Sequence, residues 1–202
     1  MDTLLQSRAA VPLAGFADPV ADAQQTFRAA LQAMAAPGRL FALAPSCAVP
    51  QGLGAALTAL LLTLADTDTP VWLPPGASAE ALAFLRFHCA SPLVPEADAA
   101  RFVAVPAGAA APALTELDAG QPEFPDRSAT LILEVAQLGQ GAPVTLRGPG
   151  IRDTQPLRVA GLPDGFWREW RRNHARFPLG VDVFLTCGTQ FCALPRTAIV
   201  EE

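Results

Sequence analysis

Asp66-Thr67-Asp68-Thr69 is the stretch of this chain that comes closest to spelling a reaction. Two aspartates one residue apart can divide phosphoryl transfer between them, the first attacking phosphorus and the second moving the proton. The surroundings argue against it. A phosphotransfer loop of this kind follows a strand and carries Thr or Val two residues after its second aspartate. Here the preceding Leu57 to Ala65 reads as a helix, and Pro70 already follows Thr69. The competing reading is a helix end and turn in which Asp68 and Thr69 hydrogen-bond the local backbone.

Arg86-Phe87-His88-Cys89 sets a cation, an imidazole and a thiol side by side. Neighbours on a helix point in different directions, so His88 cannot serve Cys89 as a base. No serine stands in a GxSxG elbow. Asp66, Asp68, Thr69, Arg86 and His88 are nevertheless the candidate ligand-binding residues, because they fall near element ends, where open α/β sheets hold their ligands. Arg86 could clamp an anionic oxygen with two donors. Arg147-Gly148-Pro149-Gly150 could offer backbone N–H groups to an anion, but Pro149 removes one donor and a turn between strands is the simpler reading. Arg168, Arg171, Arg172 and Arg176 form a stripe that is either a solvated helix face or a contact for an acidic partner.

What the chain lacks narrows the chemistry further. All fourteen cationic side chains are arginine and none is lysine. A guanidinium keeps its proton throughout the accessible pH range, so a pyridoxal-phosphate aldimine, a Walker lysine and a Ser-Lys dyad are excluded. The four cysteines, Cys47, Cys89, Cys187 and Cys192, contain no CxxC, and two histidines complete no zinc pattern. No catalytic residue, metal or cofactor is expected. Cys187 and Cys192 flank a hairpin turn, where they would lie across from each other and could join on oxidation. A net charge of −5 argues against a nucleic-acid partner.

The elements that must carry these residues alternate. Helices are expected from Asp18 to Ala36, Gly54 to Ala65, Ser78 to Cys89, and onward from Pro163, where Phe166, Trp167, Trp170 and His174 make one face. Strands are expected at Arg39 to Leu43, Pro70 to Leu73, Arg101 to Val105, Ala129 to Val135 and Pro143 to Arg147. A closing hairpin runs Val181 to Thr186 and Phe191 to Leu194. The Ala/Pro/Gly stretch Pro106 to Pro122 reads as a loop. This pattern predicts a three-layer α/β/α fold around a mixed sheet, in one domain spanning 1–202 with 1–15 as a flexible or extended N-terminal arm. Hydrophobic residues make up 51% against 16% charged, so either the core is large or apolar surface faces partner subunits. Met1 to Leu5 lacks the features of a signal peptide, and the thirteen-residue apolar run Leu53 to Ala65 is too short to span a bilayer. A cytoplasmic protein without a membrane partner is expected.

Taken as an ordered set, DAQQTFRAALQAMAAPG, LLLTLADTDTPVWL, LRFHCASPLV, ATLILEV, FPLGVDVFLTCG and ALPRT resemble the family of the H subunit of the bacterial carbon–phosphorus lyase system (PhnH). The resemblance runs from about Phe16 to Val200 and is most distinctive at Phe177 to Asp182, Thr186 to Gly188 and Pro195 to Thr197. It implies a role in phosphonate use under phosphate limitation, in a cytoplasmic core complex with the G, I and J subunits. That system displaces adenine from ATP by a phosphonate, giving a ribose 1-phosphonate 5-triphosphate. The displacement is attributed to the I subunit, and a later radical step on the J subunit breaks the carbon–phosphorus bond. The H subunit has no assigned catalytic residue. It has a fold similar to the large domain of pyridoxal-phosphate transferases without the cofactor, which a lysine-free chain could not hold as an aldimine. An accessory subunit, homodimeric in isolation, is therefore expected. The alternative is a phosphonate- or nucleotide-binding subunit with a cryptic catalytic role at Asp66–Thr69 and Arg86–His88.

Overall fold

A computed structural model describes residues 12–201, so most of the anticipated arm, 1–15, lies outside the described residues. Helix α1 (Pro19–Ala35) opens where Asp18 Oδ1 accepts the N–H groups of Val20 and Ala21 at 3.2 and 3.0 Å, with Pro19 pre-set at the first position. Helix α2 (Ala55–Leu64) is apolar on every side and buries Ala56 through Leu61. Helix α3 (Ala79–His88) starts where Ser78 Oγ accepts the Ala81 N–H at 3.0 Å. Helix α4 (Phe166–His174) buries Phe166, Trp170 and Asn173.

The strands are β1 (Phe41–Ala42), β2 (Val71–Trp72), β3 (Phe102–Val105), β4 (Thr130–Glu134), β5 (Gln137–Arg147), β6 (Gln155–Ala160), β7 (Asp182–Cys187), β8 (Gln190–Leu194) and β9 (Ile199–Glu201). Six of them form a sheet ordered β1-β8-β7-β4-β3-β2. Its β2, β3, β4 and β7 are parallel, and β8 and β1 join antiparallel. Alternate side chains along each strand feed two cores. Ile132 and Phe184 point toward α1, α2 and α3, while Leu131, Leu133, Val183 and Leu185 point the other way.

That other side departs from the expected helical layer. It is a three-stranded antiparallel sheet, β6-β5-β9, with α4 beside it, contributing Leu146, Leu157 and Val200 as well as Phe166 and Trp170 to the core. The mixed sheet is present, but the layers are helices, mixed sheet, then small sheet plus helix. The difference has a sequence cause. β6 alternates as a half-buried strand, Leu157 and Val159 inward with Arg158 outward between them, but Pro156 argues against a strand and the alternation is short. β5 begins six residues earlier than expected because Gly139 and Gly141 bend it, and the pairing shifts register between Leu138 and Pro143.

The hairpin also corrects one expectation. Cys187 pairs with Gln190 and Cys192 with Leu185, so the two thiols sit on a diagonal rather than opposite each other. Diagonal neighbours stand about 7–8 Å apart, too far for a disulfide. The Cys187 thiol donates instead to the Ala136 carbonyl at 3.4 Å, and both cysteines are free.

Candidate functional site

Asp66, Asp68 and Thr69 form a self-contained turn where α2 gives way to β2. Asp66 Oδ1 accepts the Asp68 N–H and the Thr69 hydroxyl, both at 2.9 Å, and Thr69 Oγ1 accepts the Asp66 N–H at 2.7 Å. Ser91 Oγ donates to the Thr69 carbonyl at 2.5 Å, tying this turn to the segment that leaves α3. Asp66 Oδ1 and the Thr69 hydroxyl, which a phosphotransfer loop would turn toward substrate, are spent here on the loop itself.

His88, at the end of α3, is held by its surroundings. Its Nε2 donates to the Leu13 carbonyl at 2.7 Å, its ring packs 4.5 Å from Phe84 and 4.9 Å from Phe87, and Gly15 lies so close that a Cβ there would come within 2.8 Å of Nδ1. With Ala48 N–H bonded to the Ala14 carbonyl at 2.9 Å, the imidazole pins residues 12–17 to the helical layer. Cys89 is buried, donates to the Leu61 carbonyl, and has its pKa pushed up to about 11 by burial, the reverse of an activated thiol. Cys192 is higher still, at about 12, for the same reason. Arg86 is exposed on α3 and makes no ion pair with a described residue. The structure thus joins the Asp66–Thr69 turn to the end of α3 through Ser91. It does so at the amino-terminal ends of the parallel strands, whereas open α/β sheets hold ligands at the carboxyl ends.

The carboxyl edge carries a residue that sequence reasoning missed. Glu134 ends β4, and its carboxylate accepts the Ala107 N–H at 3.4 Å and the N–H of Gly54, which begins α2. A Cβ on Gly54 would sit 1.9 Å from Glu134 Oε1, so glycine alone admits this approach. Burial raises the Glu134 pKa above the ordinary value, opposed by those two N–H groups. Thr186 stands opposite Glu134 in register on the same sheet face, and its buried Oγ1 has no hydrogen-bond partner among the described residues. A crevice of ≈ 320 Å³ at the same edge is lined by Leu53, Pro74, Ser78, Pro106 and Ala109, and neither Glu134 nor Thr186 lines it. The positive end of α2, where an anion would be attracted, already holds a carboxylate from the protein. A single charged residue closing the apolar run Thr130 to Leu133 was the available signal for Glu134.

The other residue missed is Arg196, at the amino edge. Its guanidinium pairs with Asp182 (Nη2 to Oδ2 2.6 Å, Nε to Oδ1 3.2 Å) and donates to Ser128 Oγ at 2.6 Å and the carbonyls of Pro125 and Pro178 at 2.8 and 3.4 Å. Its backbone N–H also reaches Asp182 Oδ1 at 2.7 Å. Next to it, α4 is pinned by Asn173, whose amide exchanges two 2.8 Å bonds with the Val181 backbone, and by Trp170 and His174, which donate to the Ala198 and Arg196 carbonyls. The FPLGVD and PRT segments meet here as structure. Arg147 lies elsewhere and pairs at 3.0 Å with Glu201, while Gly150 presses on the end of α1.

Three observations bear on the chemistry together: Cys89 and Cys192 sit buried with raised pKa values, the imidazole of His88 is committed to a backbone carbonyl, and Asp66 is engaged within its own turn. Among the described residues no group of three or more His, Cys, Asp or Glu is gathered to hold a metal ion. Comparison with known proteins supplies the remaining finding. The model of the family described as bacterial phosphonate metabolism protein (PhnH) matches residues 14–201. A Rhizobium meliloti (strain 1021) protein named alpha-D-ribose 1-methylphosphonate 5-triphosphate synthase subunit PhnH is 42% identical over 187 residues, covering 92% of this chain and 94% of that protein. A Stutzerimonas stutzeri protein named putative C-P lyase subunit protein HtxG is 36% identical over 175 residues, covering 86% and 83% respectively.

Proposed function

The chain belongs to the PhnH family of bacterial phosphonate metabolism proteins, and we propose that it is an accessory, non-catalytic subunit of the carbon–phosphorus lyase system. In that role it supports the conversion of ATP and an alkylphosphonate to a ribose 1-phosphonate 5-triphosphate. The observation that carries the reading is the 42% identity, nearly end to end, with a protein named as a subunit of that synthase. The committed imidazole and the buried thiols support an accessory rather than a chemical part. Its partners on this reading are the G, I and J subunits, its compartment is the cytoplasm, and alone it pairs with a second copy. Its sheet is that of a pyridoxal-phosphate transferase's large domain, turned to assembly in a chain without lysine.

The test is reconstitution of the synthase from purified subunits, with product formation from ATP and methylphosphonate followed by phosphorus NMR. Omitting this chain is expected to lower product formation, and adding it back as Asp66→Asn or His88→Gln is expected to restore it. Failure of either variant to restore product in a fully assembled complex would transfer the chemistry to this chain. One observation favours the ligand-binding alternative: Arg86 is exposed without an ion-pair partner among the described residues. Calorimetry with ATP and with methylphosphonate decides it, since heat that disappears in Arg86→Ala would establish a pocket.

A further inference from the structure

Helix α4 carries a ladder of like charge on one exposed face, which the helix dipole opposes at Arg168 and favours at Arg172 in the last turn. Arg168 lies in the first turn, where the positive end of the helix dipole disfavours a cation, and Arg172 follows one turn later on the same exposed face. Arg176 continues the ladder in the turn beyond the helix. None of the three pairs with a carboxylate among the described residues. The helix's own acid, Glu169, is committed to the Leu114 N–H at 3.0 Å. Beside this ladder two aromatic side chains stand in solvent, Phe177 at 58% exposure and Phe124 at 45%. Arg196 bonds the carbonyls of Pro125 and Pro178, the residues that follow them, which draws the two backbone segments together, and the Arg127 guanidinium lies 4.2 Å over the Phe124 ring.

We propose that Arg168, Arg172 and Arg176, with Phe124 and Phe177 beside them, form the face by which this chain docks onto an acidic protein surface of a partner subunit, an inference that rests on the subunit reading above. Arginine and aromatic residues are the types enriched where protein interfaces bind most strongly. A chain of net charge −5 that places like charges one turn apart gains from a carboxylate-bearing partner what its own fold withholds. Nucleic acid fits less well, since the acidity of the whole molecule repels phosphates beyond the patch.

The experiment compares the unaltered chain with Arg168→Glu/Arg172→Glu, Phe177→Ala and a control, Arg28→Glu, on the exposed part of α1. Each is co-expressed with the remaining synthase subunits, recovered through a tag on one of them, and treated with nuclease. The double variant and Phe177→Ala are expected to be retained at least tenfold less well, while Arg28→Glu is retained like the parent. Thermal unfolding of the isolated double variant is expected within a few degrees of the parent, because both residues are exposed and the gain at the first turn offsets the loss at the last. Retention of the double variant at the parent's level overturns the inference. So does release of the parent by nuclease, or a double variant that fails to self-associate yet joins the other subunits normally. Failure of the parent itself to co-purify overturns the subunit reading and this inference with it, and is read before any variant.

Discussion

Arg196 donates to three separate segments at once: Asp182 at the start of β7, Ser128 and Pro125 ahead of β4, and Pro178 in the turn after α4. Removing the guanidinium strands a largely buried carboxylate and three acceptors. Arg196→Ala is expected to cost about 3–5 kcal/mol in urea unfolding, and Arg196→Lys to recover only part, because an ammonium cannot span the same fork. Glu134 poses a pH question with a definite sign. Its folded pKa is raised, chiefly by burial, so its contribution to stability is full below the unfolded carboxylate value and is lost as pH rises through the folded one. Glu134→Gln is therefore expected to compare better with the parent at pH 7 than at pH 4, and a stability difference flat across that range would contradict the assignment. Single residues were legible where their partners are local, as in the Asp66–Thr69 turn. Glu134 and Arg196 were not, because Gly54, Ala107, Ser128 and Pro125 lie far away along the chain and nothing in the local pattern joins them.

The helices were the most readable elements, since their signals are carried at their own ends. Ser78 caps α3 and also donates to the Gln51 carbonyl at 2.6 Å, while Glu80 accepts the Gln51 N–H at 2.6 Å. Ser78→Ala is expected to lower stability by about 1–2 kcal/mol, with the loss visible as faster hydrogen exchange in the first turn of α3. The long apolar strands of the mixed sheet announced themselves in the same way. Of the small sheet only Pro143 to Arg147 of β5 was legible: β6 alternates across only six residues, β9 has three, and the first half of β5 is bent by glycines. The third layer of the fold was hidden by that brevity. Where the family motifs coincide with elements, as in β4 and β7, they were legible twice over.

At the scale of the whole molecule, unpartnered surface is divided between opposite layers. Val20, Phe27 and Leu31 are exposed along α1, while the α4 arginines and two phenylalanines lie across the sheet. The separation allows one chain to meet a second copy and a different subunit at the same time. Sedimentation of the isolated chain at micromolar concentration is expected to show a dimer, and Leu31→Glu to shift it toward monomer; a parent that sediments only as a monomer would remove self-pairing from the picture. The two edge strands of the six-stranded sheet, β1 and β2, have two residues each, and the segment around β1 is further tied down by Gly38 and Leu43 N–H bonds to the Ala193 and Thr189 carbonyls. So little unpaired ladder remains that another chain cannot be templated onto this sheet by its backbone. At this sheet recognition must then be written in side chains, and it can change partner by point substitution while the strands beneath stay as they are.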